Sequence, residues 1–393
     1  MRCFSFARAG VLLAFGAMLV LAPGGRPAVA AAKASSGSVK AAIADAVADF
    51  QKRTGTPGVV VAVYDARQFG TSGFVAPFGV TSYRGTAPVT GDTVFQIASI
   101  TKVFSGTLYG AAMARGYATP QTTAYTALGS PASLAHAAEF QKITLRELAT
   151  HTAGFPDNVA ARAGDPLFSG SAAIPKSLLA FYNSLTPALR TGCYQYSSAG
   201  FVTLGYALAD SWPGALHGNY PAILDAEISK PLGLRCTNTV VPAGCVSVSS
   251  GVNLSKKPFR AATHSATDVK STGNDMLKWI EANLGVGTSP PHILANAIAT
   301  AQKPEGTFPS CSSGKGVTVG LAWQEGPLNL APGRPTMLWK NGATGYGGES
   351  AMLVLVPSQK VGIAILTNGL GAGGPDALAK TLAAKLLEAD ARR

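Results

Sequence analysis

The stretch Phe95-Gln96-Ile97-Ala98-Ser99-Ile100-Thr101-Lys102-Val103-Phe104 sets a serine and a lysine inside an apolar run that continues to Leu108. The run reads as a buried helix. Ser99 then stands at its start, where backbone N–H groups point at any bound oxyanion. Lys102 follows one helical turn later on the same face. A serine hydroxyl is a poor nucleophile until a base takes its proton, and a desolvated lysine is such a base. S-x-x-K alone is weak evidence. A second copy, Ser312-Ser313-Gly314-Lys315, lies in a Gly/Ser-rich stretch that reads as a loop, and an ordinary N-cap is the plain alternative for Ser99.

Upstream of this segment, Val39, Ile43, Val47 and Phe50 recur at helical spacing, and Val59 to Tyr64 is a β-branched run opened by Pro57-Gly58. These predict a helix and then a buried strand. A second strand is expected over Phe78 to Arg84. From about 99 to 305 the pattern is mostly helical, with a capping box at Thr144–Glu147 and an amphipathic helix at Asn274–Leu284. Strand patterns return at Gly316–Trp323, Met337–Trp339, Ser350–Val356 and Val361–Thr367, and Asp376–Glu388 predicts a last helix. Short Gly/Pro turns between the late strands favour antiparallel pairing. The expectation is an α+β fold: an antiparallel sheet flanked by N- and C-terminal helices, with a mostly helical insertion. In residues, 31–98 and 315–393 form the sheet domain and 99–314 the insertion, with the active site in the cleft between them.

Composition narrows the class. Of 393 residues, 47% are hydrophobic and only 13% charged, too apolar for a disordered chain. Lys and Arg exceed Asp and Glu by twelve. The longest basic run is Lys256-Lys257, with no interleaved aromatics, so nucleic acid is not an expected partner; a solvated basic surface, or one drawn to anionic envelope polymers such as peptidoglycan, fits better. Arg2 and Arg8 precede an apolar run from Val11 to Leu21, followed by Ala28-Val29-Ala30. That order reads as a secretory signal peptide over residues 1–30, and the run is short for a membrane span. A periplasmic or secreted protein is expected. Cleavage after Ala30 removes three arginines and leaves a net charge of +9.

Export leaves Cys193, Cys236, Cys245 and Cys311, an even number in an oxidising compartment, with three pairings open. Pro242 and Gly244 turn the chain between Cys236 and Cys245, which favours that pair and leaves Cys193 with Cys311. The cysteine spacing fits no zinc pattern, and the five histidines are scattered, so no metal is expected.

No G-x-S-x-G, Walker A, G-x-G-x-x-G or H-E-x-x-H pattern occurs. Two further segments do: Tyr196-Ser197-Ser198-Ala199-Gly200, then Leu204-Gly205; and Lys340-Asn341-Gly342-Ala343-Thr344-Gly345 before a strand. With Ser99–Lys102, their order resembles the serine β-lactamase and penicillin-binding protein superfamily, above all class C β-lactamases and related low-molecular-weight DD-peptidases. The resemblance extends through PGVVVAV (57–63), FQIASITK (95–102), ITLRELATHTAG (143–154), VKSTGNDMLKWIEANL (269–284), GLAWQEGP (320–327) and KNGATGYGG (340–348).

It implies Ser99 as the acylated nucleophile and Lys102 and Tyr196 as the proton-handling pair. Lys340 would supply positive charge near Tyr196 and the substrate carboxylate. Backbone N–H groups of Ser99 and Ala343 would form the oxyanion hole, and Gly342 would be small so that a substrate backbone lies against the strand. No cofactor is implied. Tyr194 competes with Tyr196, but only Tyr196 keeps the nine-residue spacing to Gly205. His151, at a helix end, reads as structural. Three departures bear on substrate: Ser198 stands where the family has asparagine, Asn341 replaces threonine, and residues 369–374 lack an asparagine-rich continuation. The expected substrate is a small β-lactam or a D-Ala-D-Ala peptide, handled by a monomer. β-Lactam opening leads, with a D-alanyl-D-alanine carboxypeptidase or endopeptidase, an esterase, and a non-enzymatic envelope-binding protein as alternatives.

Overall fold

Val59 to Tyr64 forms the heart of β1 (Gly58–Asp65), every residue of which is buried. Alternate side chains go to opposite faces of a strand. Val59, Val61 and Val63 enter one core, and Val60, Ala62 and Tyr64 the other. Both faces are covered, so the strand reads as a continuous apolar run.

In the computed structural model, which describes residues 36–132, 134, 137–157, 176–184, 191–248, 264–344, 348–369 and 374–391, the fold is α+β. The remaining strands are β2 (Phe74–Gly79), β3 (Phe95–Gln96), β4 (Lys270–Ser271), β5 (Gly306–Pro309), β6 (Gly316–Val319), β7 (Gln324–Pro327), β8 (Thr336–Ala343), β9 (Ser350–Val356) and β10 (Val361–Thr367). Eight form one sheet in the order β2-β1-β10-β9-β8-β7-β6-β5, and β3 pairs with β4 apart from it. Every pairing between these strands is antiparallel. Helices Ser36–Thr54 and Asp376–Ala391 cover one face of the sheet, burying Val39, Ile43, Val47 and Phe50 from the first and Leu378, Leu382 and Leu386 from the last. The helices between β3 and β5 cover the other.

Several expectations shift. The second strand is Phe74–Gly79 rather than Phe78–Arg84, because its register with β1 runs from Val63↔Phe74 to Gly58↔Gly79 and the chain turns at Gly79, whose φ is +80°. Gly316–Trp323 is not one strand. The chain turns at Gly320–Trp323, with Ala322 at φ +71°, and returns as β7. Strand β5 joins the sheet upstream of residue 315. The capping box is present: Thr144 Oγ1 accepts from Glu147 N, and Glu147 Oε2 accepts from Thr144 N at 2.8 Å. Both disulfides, Cys193–Cys311 and Cys236–Cys245, are formed. The signal segment 1–30, Lys256-Lys257, Gly345 and residues 370–373 lie outside the described residues. Among the described residues, no helix is long and apolar enough to cross a membrane.

Candidate active site

The chain leaves β3 through a 3₁₀ turn, Ala98–Ile100, and enters the buried helix Thr101–Ala114. Ala98 holds φ +46°, an uncommon conformation for a residue with a side chain. The turn is anchored from below: Ile97 N donates to Val269 O at 3.0 Å, and Val269 N donates to Thr101 Oγ1 at 3.0 Å. Pairing of β3 with β4 fixes the same two segments. This is why Ser99 and Lys102 occupy set positions.

Lys102 is fully buried. Its Nζ donates to Ser99 Oγ at 3.1 Å and to Ala266 O at 3.0 Å, and lies 3.4 Å from Ser198 Oγ. Burial lowers its pKa to about 7, against the opposing pull of the Asp157 and Asp268 carboxylates. Tyr196 Oη donates to Ser99 Oγ at 2.7 Å, so the serine oxygen accepts from both. Tyr194 turns elsewhere: its hydroxyl accepts from Gln324 Nε2 at 3.1 Å. Lys340 is 98% buried, and its Nζ, like that of Lys102, lies 4.9 Å from the centroid of the Tyr196 ring. Burial lowers the Lys340 pKa as well; the Tyr196 oxygen counters this and Lys102 adds to it.

The Tyr196 segment is clamped from two sides. Cys193 is bonded to Cys311, Tyr194 N donates to Pro309 O at 2.8 Å, and Cys311 N donates to Tyr194 O at 3.0 Å, tying the segment to the β5–β6 hairpin. On the other side stands His151, at φ +61°. Its Nδ1 accepts from Ser197 N at 3.0 Å, and its ring lies 4.6 Å from that of Tyr196. Burial, with the two lysines nearby, holds the His151 pKa well below the usual imidazole value, so the ring is neutral and Nδ1 is free to accept. The contacts of His151 thus hold the Tyr196 segment in place.

Ser198 reaches Lys102 despite its short side chain, and its N and Oγ both donate to Asp157 Oδ1, at 3.0 and 2.9 Å. Asp157 was not legible as a site residue. Its partner lies 41 positions away, and only the terminal position of the HTAGFPD run marks it. The second S-x-x-K copy is remote in kind: Ser312 and Lys315 are exposed on the β5–β6 turn.

Strand β8 pairs with β7 only up to Trp339, so among the described strands Lys340–Ala343 pair with β9 alone and leave their other edge unpaired. Gly342 meets this edge differently than expected. A Cβ there would lie 2.3 Å from Ile97 O and 2.9 Å from Ser99 N. The protein's own nucleophile turn already requires a glycine here. Gly342→Ala is therefore expected to push that turn off β8 and slow acylation of Ser99 by about 10²-fold, the scale of a displacement of about 1 Å. Time-resolved intact-mass spectrometry would check this; a rate within threefold of wild type would refute it.

The chain is similar to known proteins in sequence and in fold. The profile of the Beta-lactamase family matches residues 43–388. A β-lactamase of Pseudomonas fluorescens is 27% identical over 329 residues, covering 74% of this chain and 84% of that protein. One from Escherichia coli K12 is 27% identical over 342 residues, covering 79% and 84%. Among solved structures, a class C β-lactamase superposes with a TM-score of 0.73 at 21% identity, covering 91% of this chain and 99% of its own. A D-alanine carboxypeptidase from Burkholderia cenocepacia gives 0.70 at 22%, covering 91% and 100%. Since the family match takes in the sheet, the helices and every element that brings Ser99, Lys102, Tyr196 and Lys340 together, the chain belongs to the beta-lactamase family and is a serine hydrolase.

Proposed function

We propose that the protein is an exported hydrolase that opens β-lactam amide bonds through an acyl-enzyme on Ser99. The observation that carries this reading is the pair of hydrogen bonds on Ser99 Oγ, from Lys102 Nζ at 3.1 Å and Tyr196 Oη at 2.7 Å. In its neutral form the Lys102 amine takes the serine proton as Oγ attacks the lactam carbonyl carbon. The oxyanion is received by the N–H groups of Ser99 and Ala343, each such donor supporting roughly 2.7–4 kcal/mol of barrier reduction in acyl enzymes. The C–N bond then breaks, and the lactam nitrogen takes a proton from the Tyr196 hydroxyl. Water cleaves the resulting ester, giving its proton to Tyr196, and the Lys102 ammonium returns the first proton to Ser99 Oγ as the ester C–O bond breaks, so that all three residues regain their starting state. Lys340 supports negative charge on the Tyr196 oxygen during these transfers. The n-region, apolar run and small-residue site within residues 1–30 support export.

Intact-mass spectrometry with benzylpenicillin, combined with turnover of a chromogenic cephalosporin, tests the reading. The expected result is a transient adduct on Ser99 and product released in many equivalents. One equivalent followed by a persistent adduct would replace it with a DD-peptidase reading. Absence of any adduct would end both.

A further inference from the structure

We propose that Asp157 is a positioning residue for acylation: by accepting a hydrogen bond from the Ser198 hydroxyl, it leaves Ser198 Oγ only lone pairs to offer Lys102, and so turns the amine's own lone pair to Ser99. The inference rests on the reading that Ser99 is acylated with Lys102 as its base.

The segment that carries Asp157 runs beside the Tyr196 segment. Gln195 N donates to His151 O at 2.7 Å, Gln195 Nε2 to Phe155 O at 3.3 Å, and Ser197 Oγ to Pro156 O at 2.7 Å. These bonds bring Asp157 to the first residue of the helix Ser198–Ser211, where its Oδ1 accepts from Ser198 N at 3.0 Å and from Ser198 Oγ at 2.9 Å. A carboxylate is an acceptor only, so the Ser198 hydroxyl proton lies on this bond. From there the contacts run inward to the nucleophile. Ser198 Oγ is 3.4 Å from Lys102 Nζ, and Lys102 Nζ is 3.1 Å from Ser99 Oγ.

A neutral amine has two N–H donors and one lone pair, and three oxygens stand around Lys102 Nζ. Ala266 O, at 3.0 Å, can only accept. A hydroxyl can accept or donate, but Ser198 Oγ has its proton on Asp157, so it accepts as well. The two N–H groups therefore go to Ala266 O and Ser198 Oγ, and the lone pair is left for the Ser99 hydroxyl. As Ser99 Oγ bonds to the acyl carbon, its proton passes to this lone pair, and the ammonium then has three N–H groups for the same three oxygens. Without Asp157 the Ser198 hydroxyl can turn its proton on the amine and compete with Ser99 for the lone pair. An asparagine at 198, the residue the family has there, needs no such partner, because its amide oxygen can only accept. Asp157 also acts on Lys102 as a charge. With Asp268 it favours the ammonium against the cost of burial, and Lys340, Tyr196 and His151 are the other titratable groups about the amine.

Orientation and charge are separated by the choice of substitution. Acylation of Ser99 is followed by intact mass with benzylpenicillin and by nitrophenolate release with 4-nitrophenyl acetate, from below to above pH 7. On the plateau above pH 7, Asp157→Ala should slow acylation about tenfold, the scale of one competing hydrogen bond. Asp157→Asn keeps an oxygen that accepts from both donors, so its plateau should lie within about threefold of wild type, while loss of the charge moves its acid limb to lower pH. Adding Ser198→Asn to Asp157→Ala should bring the plateau back to within about threefold of wild type, because the amide oxygen replaces the oriented hydroxyl. In a Ser198→Ala background, Asp157→Ala should cause no further loss. A residue that only anchored the Tyr196 segment would gain nothing from Ser198→Asn, which restores no bond at position 157. A plateau for Asp157→Ala within threefold of wild type, equal losses in Asp157→Ala and Asp157→Asn, or no rescue by Ser198→Asn would each overturn the proposal. A wild type inert to benzylpenicillin but acylated by the acetate would remove the lactam reading, and the acetate series would decide this one. Inertness towards both probes would remove both.

Discussion

Ser99→Ala should abolish turnover of a chromogenic cephalosporin, with a loss of about 10⁴-fold or more in kcat, as expected when the nucleophile of an acyl enzyme is removed. The adduct seen after benzylpenicillin treatment should vanish with it. The fold should survive, because Lys102 Nζ keeps Ala266 O as a partner at 3.0 Å and the surrounding turn is held by backbone bonds to Val269. Removing Ser99 leaves the hydroxyl of Tyr196 without its 2.7 Å acceptor, a change of about 1 kcal/mol that a melting curve would register as a few degrees at most. The control is Ser312→Ala in the exposed S-x-x-K copy, which should leave turnover at the wild-type rate. A Ser99→Ala protein that still turned over the cephalosporin at a tenth of the wild-type rate would sink the assignment of the nucleophile.

Residues 59–64, 350–356 and 361–367 were legible as strands because both faces of the sheet are covered and nearly every position asks for an apolar side chain, often a β-branched one. The edge of the sheet was not. Strands β5 and β7 read Gly-Thr-Phe-Pro and Gln-Glu-Gly-Pro, are only partly buried, and owe their conformation to pairing with neighbours. Strand β2 contains Pro77, which an edge strand tolerates and an isolated reading penalises. The same division runs through the site. Ser99, Lys102, Tyr196, Ser198 and Lys340 sit in short motifs whose spacing is visible in one dimension, and the structure brings all five together. Asp157 bears on the site through Ser198, a partner 41 positions away. Nothing in its local sequence announces the contact. Gly342 shows a third case, in which the residue was legible and its close approach to the nucleophile turn was not.

The second large effect concerns pH. Burial holds the Lys102 pKa at about 7, far below its ordinary value of 10.5. Above pH 7 the folded protein therefore presents mostly a neutral amine, able to take the Ser99 proton. Below it the ammonium has no site for that proton. The rate constant for acylation should rise about tenfold per pH unit below 7 and level off above it. Lys102→Arg keeps a cation but cannot deprotonate in this range, so it should lower acylation by at least 10³-fold on the plateau above pH 7 and erase the limb below it. Two other groups need separating. His151, held well below its usual pKa, stays neutral through the range. Glu349, which accepts from Gln96 N at 2.6 Å, is pushed by burial to about 7 and ionises over the same interval. Glu349→Gln should leave the limb in place if Lys102 sets it. The stability effect has a definite sign. Between pH 7 and 10.5 the unfolded chain carries a proton on Lys102 that the folded one does not, so this residue's contribution to stability is full above 10.5 and falls as pH drops towards 7. Each unit corresponds to about 1.4 kcal/mol for a group this deeply buried. Lys102→Met should accordingly raise the melting temperature at neutral pH while removing activity. A variant that loses stability instead would show that the ammonium's bonds to Ser99 and Ala266 outweigh the cost of burying it.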